Sequence, residues 1–292
     1  MVNPVVVGVD GSPSSLAAVE VGAHEAALRG AGLRLVHAFG WPSMHVPPGG
    51  PPWHPAVAGV RELVDGTLVK AEERARGAAP RLEITRDVTV GDPLTVLEIE
   101  SRTASLVVVG SRGLGAFGSL LLGSTAVHLV AHGRCPVLVV RGRLDRSGPV
   151  LLAVDGSPAG ESAVGFAFAE ASLRGVELVA LHVWNTWSEG AYEGPGDPLS
   201  VVVDVERLRG VRQRLLDETL SPWQERHPRV AVERRLVRSR IRPALIEASR
   251  DAQLVVAGAR GRGGFTGLLL GSVSQALLHH AHCPVAVVRG EE

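Results

Sequence analysis

The chain repeats itself, and the repeat limits its fold more than any single motif does. Val7-Gly8-Val9-Asp10-Gly11-Ser12-Pro13 returns as Leu152-Ala153-Val154-Asp155-Gly156-Ser157-Pro158, an offset of 145 residues. Leu28-Arg29-Gly30 returns at that offset as Leu173-Arg174-Gly175, and His37 as His182. Further along, Gly110-Ser111-Arg112-Gly113 returns as Gly258-Ala259-Arg260-Gly261, and Cys135-Pro136-Val137 as Cys283-Pro284-Val285, now at an offset of 148. Self-similarity on this scale means two copies of one folding unit. The second copy carries a net three extra residues between its second strand and its fourth. A length of 292 residues suits two domains, and a boundary near 143–148 divides the chain into 1–144 and 147–292.

Each copy alternates apolar runs with helical periodicity. Val5–Val9 reads as a strand buried on both faces. Ser12 is placed to cap a helix with Pro13 at its first position, and Gly30 to end it. Leu33–Phe39 is a second strand, and Trp41–Pro55 a long loop rich in proline and glycine. A helix around Ala58–Arg76, a strand near Leu82–Val90, a helix near Pro93–Arg102 and a strand at Leu106–Val109 follow. A helix over Gly123–Ala131 and a last strand, Val137–Val140, complete the copy, and the second half repeats the order. Strands separated by helices imply two tandem α/β domains, each a doubly wound, Rossmann-like parallel sheet. Such sheets bind ligands at the carboxyl ends of their strands, where the strand order reverses.

Composition removes several classes of function. Thirty basic side chains balance thirty acidic ones, so no global field draws in nucleic acid or an anionic membrane. Lys70 is the single lysine, which excludes most lysine chemistry. The start of the chain lacks the look of a secretory leader, and no apolar run approaches the roughly 18 residues of a membrane span. Two distant cysteines, Cys135 and Cys283, argue against a disulfide framework and suit a reducing compartment, so the expected location is the cytoplasm.

The chemistry collects after the fourth strand of each copy. Gly110 and Gly113 are followed by nine residues and then Gly123-Ser124; Gly258 and Gly261 by nine residues and then Gly271-Ser272. Glycines allow close backbone approach to a phosphate, and successive amides in such a turn make an anion-binding nest. A helix opened and capped by Ser124 or Ser272 adds free N–H groups and a partial positive charge, and Arg112 or Arg260 a full one.

The pattern Gly-x2-Gly-x9-Gly-Ser resembles the ATP-binding signature of the universal stress protein family, and Val-Asp-Gly-Ser after the first strand resembles that family's start. His132-Gly-Arg-Cys-Pro-Val-Leu-Val-Val resembles its last helix and strand. The resemblance covers both halves nearly end to end. It implies strand order 3-2-1-4-5 and ATP, with or without Mg2+, as ligand of both halves. It implies that Asp10 and Asp155 contact the nucleoside beside the backbones of Gly8-Val9 and Ala153-Val154, and that Ala38 and Val183 read the adenine edge. Phosphate and ribose contacts fall on Val109, Gly110, Arg112, Gly113, Gly123, Ser124 and Thr125, and on Ala257, Gly258, Arg260, Gly261, Gly271, Ser272 and Val273. It also implies pairing through the last strands, covering both sheet edges and giving a pseudo-two-fold chain that itself forms a homodimer.

Plainer readings stand beside these. Asp10 and Asp155 also suit turns before capped helices, and the glycines suit tight strand-to-helix turns. His279, His280 and His282 lack a thiolate pair and have only His132 as counterpart, so no metal site is expected. The two cysteines read as small core residues and His37 and His182 as packing residues, while Trp41, Trp53, Trp184 and Trp187 fall in the long loops, 41–55 and 184–198. The leading expectation is an ATP-binding stress-response regulator that switches a protein partner. The alternatives are a slow ATPase or phosphotransferase and a nucleotide-free scaffold; no Gly-x4-Gly-Lys loop and no converging acid–base pair supports catalysis.

Overall fold

The structure is a computed structural model and describes residues 2–39, 55–113, 122–185, 205–261 and 270–290. It divides into two compact units, Met1–Arg141 and Gly142–Glu292. The first contains β1 (Val5–Gly8), α1 (Pro13–Arg29), β2 (Leu33–Phe39), α2 (Pro55–Ala78), β3 (Ile84–Val90), α3 (Pro93–Glu100), β4 (Leu106–Gly110), α4 (Ser124–His132) and β5 (Val137–Val140). The second contains β6 (Val150–Ala153), α5 (Glu161–Arg174), β7 (Leu178–Trp184), α6 (Val205–Arg226), β8 (Val232–Arg238), α7 (Ile241–Ala248), β9 (Leu254–Gly258), α8 (Ser272–His280) and β10 (Val285–Val288).

In the first unit the strands lie in the order β3-β2-β1-β4-β5, every ladder parallel. The second unit repeats this as β8-β7-β6-β9-β10. The central strand pairs on one side with the strand that follows it and on the other with the fourth, so the chain reverses its direction of travel there. Val5, Val6 and Val7 are fully buried, as are Val107 and Val108, because helices cover both faces.

The first helix packs by size matching that differs between copies. On α1, Gly22 has no room for a methyl group against Val7, so the helix backbone lies close on β1. The aligned residue on α5 is Ala167, followed by a fully buried Phe168 where α1 has Ala23. Between the first two helices, the second unit sets Trp223 against bare Gly165, whereas the first has Ala75 and Glu20 at those places. Both units close the last turn of this helix with a buried ion pair, Glu25 with Arg29 and Glu170 with Arg174. Removing one partner of such a pair leaves a buried charge uncompensated.

The sequence expectations are met for the strands and corrected at several helix starts. Ser12 caps α1, its Oγ accepting from Ser15 N at 3.1 Å, with Pro13 first in the helix. Its counterpart Ser157 does not cap: it donates to Asp155 Oδ1 at 2.8 Å, Pro158–Gly160 form a 3-10 turn, and α5 starts only at Glu161. Ala159-Gly160 replace the helix-starting Ser14-Ser15, which removes the side chains that would hold an earlier start. The cap of α4 and α8 is glycine, Gly123 or Gly271, and no side chain completes it, so the helices are not serine-capped. Trp184 is not in a loop but is the last, buried residue of β7. Buried Val64 and Leu68 of α2 align with Arg212 and Leu216 of α6 at an offset of 148, so the three extra residues lie between β7 and the body of α6. Trp41, Trp53 and Trp187 lie outside the described residues.

A further difference sets up a direct comparison of caps. Asp92 caps α3, accepting from Leu94 N at 3.2 Å and Thr95 N at 3.3 Å, while Arg240 occupies that place before α7 with no side-chain bond. Asp92→Ala is therefore expected to destabilise its unit by about 1 kcal/mol, while Arg240→Ala leaves stability nearly unchanged, measured by equilibrium urea unfolding.

Candidate functional site

In the first unit, β1 and β4 deliver their carboxyl ends to one edge, and α1 begins beside them. The turn after β1 requires glycine, since Gly11 has φ 84°. Asp10 Oδ1 accepts from Ser12 N at 2.9 Å, an Asx turn that fixes the carboxylate at the strand tip. The other carboxylate oxygen faces the loop after β4: a methyl group built on Gly113 would lie 2.6 Å from Asp10 Oδ2. A built methyl on Gly110 would meet Ser14 at 2.5–2.8 Å, so the base of the loop is pressed onto the first turn of α1. Arg112 N donates to Ser14 Oγ at 3.3 Å, Ser111 N to Val140 O at 3.1 Å and Gly123 N to Ser111 O at 2.8 Å. The last bond brings both ends of the loop together and sets Gly123, Ser124 and Thr125 at the start of α4 beside Gly113. The intervening residues 114–121 lie outside the described residues.

The second unit builds the same edge. Gly156 has φ 69° in the turn, and Asp155 Oδ1 accepts from Ser157 N at 2.9 Å. Asp155 Oδ2 lies even closer to the place a methyl on Gly261 would fill. Ala259 N donates to Val288 O and Gly271 N to Ala259 O, each at 2.8 Å, repeating the closure that places Gly271, Ser272 and Val273. Residues 262–269 of this loop lie outside the described residues.

Of the sequence-predicted residues, Gly8, Val9, Asp10, Val109, Gly110, Arg112, Gly113, Gly123, Ser124 and Thr125 thus gather at one edge, as do Ala153, Val154, Asp155, Ala257, Gly258, Arg260, Gly261, Gly271, Ser272 and Val273. Arg112 and Arg260 are exposed. Ala38 and Val183 sit one strand over, near the carboxyl ends of β2 and β7. The edge therefore presents a carboxylate, a backbone free of side chains at Gly113 or Gly261, and a helix N-terminus without a side-chain cap. That set accepts hydrogen bonds from hydroxyls on one side and donates amides to an anion on the other.

Three groups gain roles that sequence reasoning missed. His37 Nδ1 lies 2.8 Å from Val9 O, and His182 Nδ1 2.7 Å from Val154 O. A carbonyl only accepts, so Nδ1 carries the proton, and the ring ties the second strand to the residue preceding the site aspartate. Its recurrence in both halves was the available signal. Thr67 of α2 faces Gly11, and Leu215 of α6 faces Gly156, so the second helix of each unit closes over the turn. Ser12 and Ser14 hold the loop through its backbone, a role spacing alone does not reveal. Among the described residues no group of three His, Cys, Asp or Glu side chains is placed to hold a metal ion. His128 pairs with Glu98 at 2.9 Å and stacks on His132, and the pairing holds the Glu98 carboxyl below its ordinary range.

The model of the "Universal stress protein family" matches residues 1–141 and 147–289. A universal stress protein of Mycolicibacterium smegmatis is 41% identical over 98% of this chain and 96% of its own. One of Mycobacterium tuberculosis (strain H37Rv) is also 41% identical, with the same coverage. Among solved structures, a universal stress protein from Archaeoglobus fulgidus superposes with a TM-score of 0.72 over 98% of both chains at 19% identity, which reports the fold. Among the described residues no helix is long and apolar enough to cross a membrane.

The cysteines take no part in this edge. Cys283 is buried, and burial pushes the Cys135 thiol up to about 12, far above the range in which a thiolate nucleophile forms at neutral pH. Against the thiol's ordinary value of 9.0, such a shift lowers the thiolate population by roughly a thousandfold. Iodoacetamide is therefore expected to label Cys135 slowly in the native protein and at an ordinary rate in denaturant, read by mass spectrometry of the peptide. Rapid native labelling of Cys135 would contradict the raised thiol of its half-buried setting.

Proposed function

The chain belongs to the universal stress protein family, in tandem form, and we propose that each unit binds ATP, with or without Mg2+, so that nucleotide loading switches its binding to a protein partner. The observation that carries this reading is the contact of a strand-tip carboxylate with a bare glycine, Asp10 with Gly113 and Asp155 with Gly261, made in both units. The Asx turn accounts for Oδ1 of each aspartate, and the reading is supported by Oδ2, which faces the bare glycine in both units.

The residues present fit the nucleotide. Asp10 and Asp155 offer carboxylate oxygens to a ribose diol, beside the backbones of residues 8–9 and 153–154. Gly110, Gly113, Gly258 and Gly261 leave backbone open to phosphate oxygens; Gly123-Ser124-Thr125 and Gly271-Ser272-Val273 add helix-terminal amides. Arg112 and Arg260 are exposed cations at the same loops, and the backbones of Ala38 and Val183, near the carboxyl ends of β2 and β7, would read the adenine edge. At a nucleotide concentration 100 times the dissociation constant, one such site adds about 2.7 kcal/mol to the stability of the loaded form. That lies within the range of about 1–3 kcal/mol typical of coupling between sites. Catalysis has less support: the single lysine, Lys70, lies on α2, and the site aspartates are held by the serine turns.

Protein purified without added nucleotide and then denatured is expected to release adenine nucleotide detectable by mass spectrometry. The double variant Gly113→Ala/Gly261→Ala places a methyl against each carboxylate and is expected to lose at least about tenfold of that content, with an unchanged melting curve after nucleotide is stripped. Equal nucleotide content in variant and parent would sink the assignment. Turnover at about 1 per second or faster would favour an enzyme instead.

A further inference from the structure

We propose that the edge of β8 is a docking site for an acidic, extended segment of another protein, which joins the sheet of the second unit as a further strand. The proposal places a partner surface outside both loops and does not depend on their binding nucleotide.

Among the described residues β8 pairs with β7 alone. Leu178 N donates to Ala231 O at 2.9 Å and Ser239 N to Trp184 O at 3.0 Å, so the odd-numbered residues of β8 turn their backbone groups towards β7. By the alternation of a parallel ladder, Val232, Arg234, Leu236 and Arg238 turn theirs away from it. A row of backbone donors and acceptors is thereby offered to one more strand.

The charge along this edge is of one sign. Residues 226–242 contain seven arginines against Glu233 alone, a formal charge of +6. Two of the arginines are matched within the unit, Arg234 by Asp217 and Arg235 by Glu233. Arg226, Arg229, Arg238, Arg240 and Arg242 are exposed, and among the described residues no carboxylate lies within ion-pair distance of them. Arg238 stands over the Trp184 ring at 5.9 Å, which keeps its charge at the carboxyl end of the strand.

The first unit shows that the fold does not call for this row. β3 is an edge strand of the same length, and residues 78–94, aligned with 226–242, carry Arg81 and Arg86 against Glu83, Asp87 and Asp92, a formal −1. There Asp87 pairs with Arg34, and Asp92 caps α3. In the second unit those two positions are Arg235 and Arg240, and Val179 replaces Arg34. Arg240 and Arg242 also stand at the start of α7, the end at which a helix disfavours positive charge. Edge charges can serve simply to repel other strands. Yet β3 leaves Val88 and Val90 exposed without such a row, and repulsion does not account for arginines beyond the strand, at 229, 240 and 242.

One kind of occupant uses both features: an extended peptide pairs with the backbone, and its carboxylates meet the cations. A single-stranded nucleic acid would match the cations but leave the backbone groups unused. Nor do the tryptophans beneath the arginines offer open stacking platforms, since Trp184 is buried and Trp223 half-buried.

The test titrates the full-length protein into a labelled peptide of about ten residues that alternates glutamate with valine, read by fluorescence anisotropy. Saturable binding is expected, weakened at least about tenfold in Arg238→Glu/Arg240→Glu/Arg242→Glu. Arg81→Glu/Arg102→Glu/Arg134→Glu makes the same change of charge on exposed arginines of the first unit and is expected to bind as the parent does. A peptide with proline in place of valine keeps its charge but loses donors for the edge, and should bind at least about tenfold more weakly. Melting curves establish that each variant is folded. Absence of binding, equal binding of the proline peptide, an equal loss in the first-unit variant, or no loss in the β8 variant would each overturn the proposal. Tighter binding of oligothymidylate of about ten nucleotides would overturn it in favour of nucleic acid. Self-association of the parent that the β8 variant abolishes, seen by sedimentation, would overturn it in favour of a second copy. The adenine nucleotide content of the β8 variant is expected to match the parent's, so failure of the docking site leaves the reading of the loops intact.

Discussion

Everything at the carboxyl edges depends on the central strand of each unit pairing with two neighbours reached by opposite routes. β1 bonds β2 and β4, and β6 bonds β7 and β9. Because right-handed crossovers place the helices on opposite faces either side of that strand, the connections diverge and leave backbone exposed at its tip. The aspartate, the glycine loop and a helix start then meet without any of them having to leave its own element. The chain uses parallel pairing to bring residue 10 to residue 113, and residue 155 to residue 261, across about a hundred intervening positions.

This explains what was legible in the sequence. Valine-rich runs with no polar alternation specify strands buried on both faces, and the helices between them specify parallel order. β2 and β5 were legible to the residue, and β1, β3 and β4 to within two, because their limits are set by glycine, proline and charge nearby. The gathering of Asp10 with Gly113 followed from topology once the strands were ordered. The partner of a hydroxyl was not legible. Ser12 and Ser157 stand in the same Asp-Gly-Ser-Pro context, yet one caps a helix and the other bonds the preceding aspartate. The choice turns on the residues two and three further on, Ser14-Ser15 or Ala159-Gly160, and on whether the turn they form is α or 3-10.

Other misreadings have similar causes. Ser124 and Ser272 looked like caps because serine favours that position, but Gly123 and Gly271 hold the extended backbone of the cap, with ψ of 149° and 152°. Tertiary closure, through Gly123 N on Ser111 O and its counterpart, decides where the helix begins. Trp184 looked like a loop residue since the run after it is rich in glycine and proline; its pairing with Arg238 on β8 extends the strand through it. The His37 bond to Val9 O joins two strands beyond their ladder, and only the repetition of the residue in the sequence pointed to it.

The duplication also separates what packing dictates from what it does not. The two units fill the space under their first helix differently, with Gly22-Ala23 against Ala167-Phe168 and Ala75 against Trp223. Core volumes adjust readily when total volume and pattern are kept, so such divergence is what a purely structural repeat produces. A contact that arose only from how the helix sits on the sheet would have changed with them. The contact of the carboxylate with the glycine did not: Asp10 lies against Gly113 and Asp155 against Gly261 despite different helix starts, different caps and different cores. An acid held against a bare backbone in two settings that share so little of their packing is the juxtaposition on which the proposed nucleotide reading rests.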